Sequence, residues 1–271
     1  QGPWAYCTKA ISSTNSGGEP IAITNCLNFG NPENPHVMRQ IIDSIKGISL
    51  ACKALSMPVV AGNVSLYNET EGESIPPTPQ IGAVGVIKDV NKYVSNFPSE
   101  PNNQNIILLG DTKGHLSCSI YAQKIENINK GTPPPIDLKK ELKYGIFIQE
   151  LCSEEFITSC RDLSDGGLGI ALTELCLMSK IGCRIESQNS NIIAWLFGED
   201  QSRYIITCTD INLNNIIEKA RNKNISAEVI GRLVGKNFEV TEQSKKTDKI
   251  SIDKLENIRN NWFKDYISII N

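Results

Sequence analysis

The sequence has only two histidines, His36 and His115, and neither stands near a cysteine nucleophile or in metal-ligand spacing. His36 falls in the first turn of an expected helix, where it reads as a surface or capping residue, and no glutaminase-like Cys/His pairing is visible. No two of the nine cysteines (Cys7, Cys26, Cys52, Cys118, Cys152, Cys160, Cys176, Cys183 and Cys208) form a C-x-x-C pair. Zinc-site and thioredoxin-like chemistry are therefore not expected. No apolar run approaches the roughly 20 residues of a membrane helix, and Gln1 to Tyr6 shows no charged leader running into an apolar stretch. Dense basic runs are also missing: 27 Lys and Arg stand against 30 Asp and Glu, a net charge of −3. Nucleic acid and membrane are excluded as expected partners.

What is present fits a globular chain. Apolar residues make up 40% and charged residues 21% of the 271 positions, enough for one large domain or two of ordinary size. The odd, scattered cysteine set lies within apolar stretches such as Glu150 to Cys152 and Thr173 to Leu177, the pattern of reduced, partly buried thiols in a cytoplasmic protein. The N-x-[ST] triplets at Asn63, Asn68 and Asn224 are then accidents of composition.

Along the chain, a short apolar strand, Pro20 to Thr24, leads into a polar loop, Asn25 to Asn34. Asn34 as N-cap and Pro35 at the first helical position open a helix. Its repeating Met38, Ile41, Ile42, Ile45, Ile48, Cys52 and Leu55 predict a core-facing stripe. A second strand, Pro58 to Ala61, ends at Gly62-Asn63-Val64-Ser65 and opens a long loop through Glu71 and Glu73 to Pro77. The third strand is Gly82 to Ile87. After Asp89 to Gln104, with little periodicity, come a strand at Ile106 to Gly110 and a helix near Leu138 to Leu151. The loop Arg161 to Gly169 leads to a helix through Met178. Strands follow near Gly182 to Ile185 and Tyr204 to Thr209, then a helix Leu213 to Lys223, a strand Ala227 to Leu233 and a closing helix from Ile252. The expected fold class is α+β, mixed α/β, with strand direction left open. The expected division is 1–90, a linker at 91–104, an α/β domain at 105–250 and a terminal helix at 251–271.

Two loops carry candidate chemistry. In Gly62-Asn63-Val64-Ser65, glycine admits a phosphate close to the backbone, Asn63 offers a hard carbonyl oxygen suited to Mg²⁺, and Ser65 offers a hydroxyl to a substrate oxygen. A Gly-Asn turn explains the same residues without a ligand. The adjoining Glu69, Glu71 and Glu73 read either as part of an oxygen-rich cation and phosphate loop or as a solvated acidic loop. In Arg161-Asp162-Leu163-Ser164-Asp165-Gly166-Gly167, Ser164 or Asp165 could cap the following helix while Gly166 and Gly167 leave backbone N–H groups open to an anion. Capping with tight glycine packing is the competing reading. Cys26 lies in a promising loop but has no activating base nearby in the sequence.

The runs Ile23-Thr24-Asn25-Cys26-Leu27-Asn28-Phe29-Gly30-Asn31-Pro32-Glu33, Pro58 through Gly72, and Ile75-Pro76-Pro77-Thr78-Pro79 resemble the second half of the phosphoribosylformylglycinamidine synthase family nearly position by position. Asp162 to Leu168 and Leu196-Phe197-Gly198-Glu199-Asp200-Gln201-Ser202-Arg203 extend the likeness, which thins around Asn91 to Asn105 and after Val240. The resemblance implies half of a two-fold pseudo-symmetric synthetase: a β-rich N-terminal piece like that of aminoimidazole ribonucleotide synthetases, truncated at its start, then an α/β domain. It also implies an ATP-dependent carbon–nitrogen ligase of purine biosynthesis, which phosphorylates the amide oxygen of formylglycinamide ribonucleotide and lets ammonia displace the phosphate.

By the same resemblance, Gly62 and Asn25 contact ATP, Asn63 holds Mg²⁺, and Ser65 touches the ribonucleotide. Asp162, Asp165, Gly166 and Gly167 form a further candidate loop. At Asn25 the family often carries Asp, so a role needing negative charge is not carried over. The catalytic histidine and most Mg²⁺ carboxylates belong to the family's first half. The chain is therefore expected to be a fragment without catalytic residues of its own, working with the N-terminal half, a separate glutaminase subunit and a small bridging subunit. Two alternatives remain open: a non-catalytic nucleotide-binding or structural half, and a related synthetase or kinase of the same superfamily.

Overall fold

The computed structural model describes residues 16–242 and 246–270; Cys7 and the Gln1 to Tyr6 segment lie outside the described residues. The chain divides into two compact units, residues 1–94 with 127–155 and residues 95–126 with 156–271.

In the first unit, β1 (Glu19–Asn28) is the middle strand of three, parallel to β2 (Val59–Ser65) and antiparallel to β5 (Thr78–Val86). Between β1 and β2 runs α1 (Pro35–Leu55), the crossover that a parallel pair requires. It begins where the sequence places it: Asn34 Oδ1 accepts from His36 N at 2.9 Å, and Pro35 stands at the first helical position. It ends at Ser56, in the left-handed region with φ 56°.

The buried face of α1 differs from the expected stripe. Val37, Ser44, Gly47, Ile48, Ala51 and Leu55 are buried, whereas Met38, Ile42 and Ile45 are exposed. Small residues, Ser44, Gly47 and Ala51, make up half of this buried face, and a reading that follows large apolar side chains passes over them. The core here joins Ile23, Leu27, Phe29, Ile48, Leu55 and Met57, with Leu138 from α3 (Leu138–Ser153) packed against it. The first unit thus includes α3, which the sequence reading assigned to the second domain.

Two further differences concern loops. Residues 25–28 and the tetrapeptide 62–65, expected as loop, extend strands β1 and β2. The expected long loop beyond Ser65 contains a small hairpin, β3 (Glu69–Thr70) paired with β4 (Glu73–Ser74). It is joined by Glu71 and Gly72 with φ of 53° and 82°, the doubly left-handed turn that suits two-residue hairpins.

The second unit is built on a seven-stranded sheet in the order β12-β11-β8-β10-β6-β9-β7. The strands are β6 (Asn105–Leu109), β7 (Ser159–Asp162), β8 (Cys183–Ser187), β9 (Tyr204–Cys208), β10 (Ala227–Leu233), β11 (Asn237–Glu242) and β12 (Lys246–Ser251). All pairings are antiparallel except β8 with β11, which settles the direction left open by the sequence. Strands β6 and β9 are buried along their whole length, as their near-continuous apolar runs require.

The helices of this unit are α2 (Ile120–Lys124), α4 (Gly167–Ser179), α5 (Ile192–Phe197), α6 (Asp210–Asn222) and α7 (Ile252–Ile270). Leu168, Leu172 and Leu175 of α4, Trp195 of α5 and Ile252 of α7 join Ile106, Leu108, Ile185 and Ile205 in one core. Each such large side chain, fully buried, contributes on the order of 1.5–3 kcal/mol.

Candidate functional site

In the first unit, strand register gathers the sequence-predicted residues. Asn25 lies opposite Gly62, Cys26 opposite Asn63, and Asn28 opposite Ser65. Asn25, Gly62, Asn63 and Ser65 thereby meet at the ends of two parallel strands, Asn25 with Gly62 on one face of the sheet and Asn63 and Ser65 with Cys26 on the other. The side chain of Asn25 lies over Gly62 and fills the space a Cβ there would need. The Nδ2 of Asn63 donates to Cys26 Sγ at 3.7 Å, which leaves the amide oxygen as its uncommitted end. Cys26 Sγ also accepts from Asn28 Nδ2 at 3.5 Å, so among the described residues the groups hydrogen-bonded to this thiol are amides.

The chain leaving both strands is tied together at one point. Phe29 N donates to Ser65 O at 3.0 Å, Tyr67 N to Gly30 O at 3.0 Å and Asn68 N to Phe29 O at 3.1 Å. Asn68 Nδ2 reaches Phe29 O and Ser65 O, each at 3.0 Å, and Ser65 Oγ at 3.1 Å. Sequence reasoning did not single out Asn68. Its place inside a long motif block was the available signal, but only the fold shows which carbonyls it meets. Gly30 is held small by Ser74 of β4, whose side chain occupies the position of a Cβ.

Asn63 fits a magnesium ion as one neutral oxygen ligand, because Mg²⁺ keeps several waters and takes the rest of its shell from phosphate. Glu69, Glu71 and Glu73 are exposed, and among the described residues no three His, Cys, Asp or Glu side chains converge on a metal-sized site. Gly62, with no side chain on an exposed edge strand, fits close approach of a nucleotide phosphate to the backbone.

Asp162, Asp165, Gly166 and Gly167 belong to the second unit. Asp162 ends β7 opposite Tyr204. The expected cap is replaced: Gly166 is the N-cap of α4, φ 79°, and no side chain caps it, so neither Ser164 nor Asp165 takes that role. Gly166 N donates instead to Glu199 Oε1 at 2.8 Å, an oxygen that also accepts from Ile120 N at 2.9 Å. Gly167 N donates to Ser164 O at 3.0 Å. Both glycine donors are thus engaged within the protein.

The segment around Glu199 fixes the neighbouring loops. Asp200 Oδ2 accepts from Lys113 N at 2.9 Å and Gly114 N at 2.8 Å. Arg203, 1% exposed, donates to Thr112 Oγ1 at 3.0 Å, Asp200 O at 3.3 Å and Gly198 O. Burial holds its guanidinium pKa below the ordinary value, with Asp200 and Glu199 acting in the opposite sense. Sequence reading missed this role because the loops so joined, at Thr112 to Gly114, Ile120 and Gly166, lie 33 to 91 residues away in the chain.

Residues 102–242 match the family description "AIR synthase related protein, C-terminal domain", and residues 14–87 match the N-terminal domain of the same description. The chain is 42% identical over 266 residues to the phosphoribosylformylglycinamidine synthase subunit PurL of Bartonella henselae, covering 97% of this chain and 35% of that protein. The chain therefore spans about a third of the length of such relatives. In fold it is similar to Thermotoga maritima PurL complexed with FGAR, with a TM-score of 0.74 at 17% identity, covering 93% of this chain and 42% of that one. The same protein complexed with ATP gives a TM-score of 0.69 at 17% identity, covering 93% and 41%. At these identities the structural likeness speaks to fold alone.

Proposed function

Because the chain belongs to the AIR synthase related family, we propose that it forms the C-terminal half of a phosphoribosylformylglycinamidine synthase, a carbon–nitrogen ligase of purine biosynthesis. The observation that carries this reading is the 42% identity over 97% of the chain to a PurL subunit. The full-length protein would use ATP to phosphorylate the amide oxygen of formylglycinamide ribonucleotide, after which ammonia displaces phosphate and leaves the amidine.

In this reading Asn25 and Gly62 shape the nucleotide contact. Gly62 leaves the backbone open, and Asn25, neutral where relatives of this type often carry Asp, supplies packing in place of charge. Asn63 holds Mg²⁺ through its side-chain oxygen, and the ion offsets phosphate charge. Ser65 donates its hydroxyl to an oxygen of the ribonucleotide. The loop of Asp162, Asp165, Gly166 and Gly167 contributes through its shape, held by Glu199. No residue of this chain is assigned as the catalytic acid or base.

The N-terminal half of the protein is the proposed partner of the three-stranded sheet. Val60 and Val64, 64% and 60% exposed, lie on an edge strand, with Ile21, Val84 and Val86 also exposed. Such an uncovered apolar sheet calls for a partner. A separate glutaminase subunit and a small bridging subunit would supply ammonia. The matches at 14–87 and 102–242 support a module boundary at 91–104, flanked by modules at 1–90 and 105–250 and followed by the helix at 251–271. Among the described residues no helix is long and apolar enough to cross a membrane; the proposed site of action is the cytoplasm.

The test is to express the full-length protein and follow ADP release and amidine formation with formylglycinamide ribonucleotide, ATP and ammonia. Absence of ADP release with that substrate would sink the reading. Residues 1–271 alone are expected to show no turnover, since the ligands are split between halves.

A further inference from the structure

We propose that Asn68 is a positioning residue: by donating to Ser65 Oγ it turns that hydroxyl into a donor aimed at an oxygen of the bound ribonucleotide. This rests on the reading of Ser65 given above. Asn68 Nδ2 lies 3.0 Å from Phe29 O, 3.0 Å from Ser65 O and 3.1 Å from Ser65 Oγ. The two carbonyls decide which end of the amide is nitrogen, because an oxygen in that place would face two acceptors.

The backbone of Asn68 is anchored twice: Asn68 N donates to Phe29 O at 3.1 Å and Asn68 O accepts from Ile75 N at 3.1 Å, while Phe29 N donates to Ser65 O at 3.0 Å and ties the two strand ends together. Phe29 is fully buried in the core, so the carbonyl that holds the amide is itself fixed. Tyr67, in the left-handed region with φ 60°, turns the chain so that the next side chain points back onto the two strand ends.

A hydroxyl has one proton and two lone pairs. Asn68 has two N–H donors for three acceptors, so one is shared between Ser65 O and Ser65 Oγ; with that lone pair occupied the Ser65 proton goes elsewhere, and among the described residues the side-chain acceptor it meets is Asn68 Oδ1 at 3.3 Å. That bond is long, and a ligand oxygen at ordinary distance would replace it. Accepting from Asn68 also polarises the O–H and strengthens the bond it makes next. The partner so selected is a hydrogen-bond acceptor, a phosphate or carbonyl oxygen.

The experiment measures equilibrium binding of formylglycinamide ribonucleotide and of ATP to the full-length protein by calorimetry. Asn68→Asp keeps the shape and removes both donors; Asn68→Ala removes them without adding charge. Each is expected to weaken ribonucleotide binding about 10-fold and to leave ATP binding within about two-fold. In a Ser65→Ala background Asn68→Ala is not expected to weaken it further, because the effect runs through that hydroxyl. Losses that multiply in that double variant, an equal loss of ATP binding, or failure of both Asn68 variants to fold would each make Asn68 a structural residue and overturn the proposal. No binding by the unmutated protein would instead bring down the ligase reading and this inference with it.

Discussion

The side-chain oxygen of Asn25 sits where a Cβ on Gly62 would have to be, and its amide carbon lies 3.1 Å from that place. Gly62 is therefore glycine for space, and its backbone φ lies outside the left-handed region. The two residues are cross-strand partners, so neither can grow without the other giving way.

Gly62→Ala is expected to destabilise this chain by about 1–3 kcal/mol through overpacking. Asn25→Ala in the same chain should return most of that loss, a coupling that separates steric conflict from lost backbone freedom. Chemical denaturation of the two single variants and the double variant makes the check; strictly additive losses would refute the steric account.

Glu199 gives a second expectation. One carboxylate oxygen serves both Gly166 N and Ile120 N, so Glu199→Ala leaves two donors without their acceptor, at a cost of about 2 kcal/mol or more. Glu199→Gln keeps an acceptor oxygen and should cost clearly less. Hydrogen exchange at Gly166 and Ile120 reads the same event locally: both amides should exchange faster in the Ala variant than in the Gln variant. Equal exchange in the two would show that the carboxylate does not hold these loops.

Much of this architecture was legible in the residue pattern because it rests on local rules. The helix start at Asn34-Pro35 follows from capping chemistry, and the apolar runs at Ile106 to Leu109 and Tyr204 to Cys208 read as buried strands. Asn25, Gly62, Asn63 and Ser65 could be named as candidates from residue type and likeness to known motifs. That they meet at one end of the sheet depends on the parallel pairing of β1 with β2 across a 21-residue helix, which periodicity does not specify. The hairpin at Glu69 to Ser74 was hidden because its strands are two residues long, too short for alternation to show. Glu199 escaped because the amides it accepts from lie 33 and 79 residues away, and Asn68 because its link between the two strand ends runs to Phe29 O, 39 residues away.

The thiol of Cys152 carries the pH expectation. Burial on α3 pushes its pKa from 9.0 up to about 12. A group whose pKa is raised on folding contributes stability that is fully present below the unfolded value and is lost as pH rises through the folded one. The melting temperature should therefore fall between pH 9 and pH 12 beyond what Cys152→Ala shows, and iodoacetamide at pH 8 should leave Cys152 unmodified until denaturant is added. Mass spectrometry of the alkylated peptide and melting curves of both chains decide it; rapid labelling of Cys152 in the folded protein would contradict the burial argument.

Asn63 tests the metal assignment apart from the fold. Its side chain is exposed and, among the described residues, its side-chain hydrogen bond is a long N–H to Cys26 Sγ at 3.7 Å, so Asn63→Ala should change stability by less than about 1 kcal/mol. In the full-length protein it should raise the magnesium concentration needed for half-maximal turnover by about 10-fold or more, because one oxygen ligand is lost. Asn63→Asp, which keeps an oxygen and adds charge, should restore magnesium dependence toward the original value. A magnesium titration of the three proteins at saturating ATP separates the cases. Unchanged dependence in Asn63→Ala would remove Asn63 from the ion's ligands, and a large loss of stability in the same variant would point to packing as the reason for its presence.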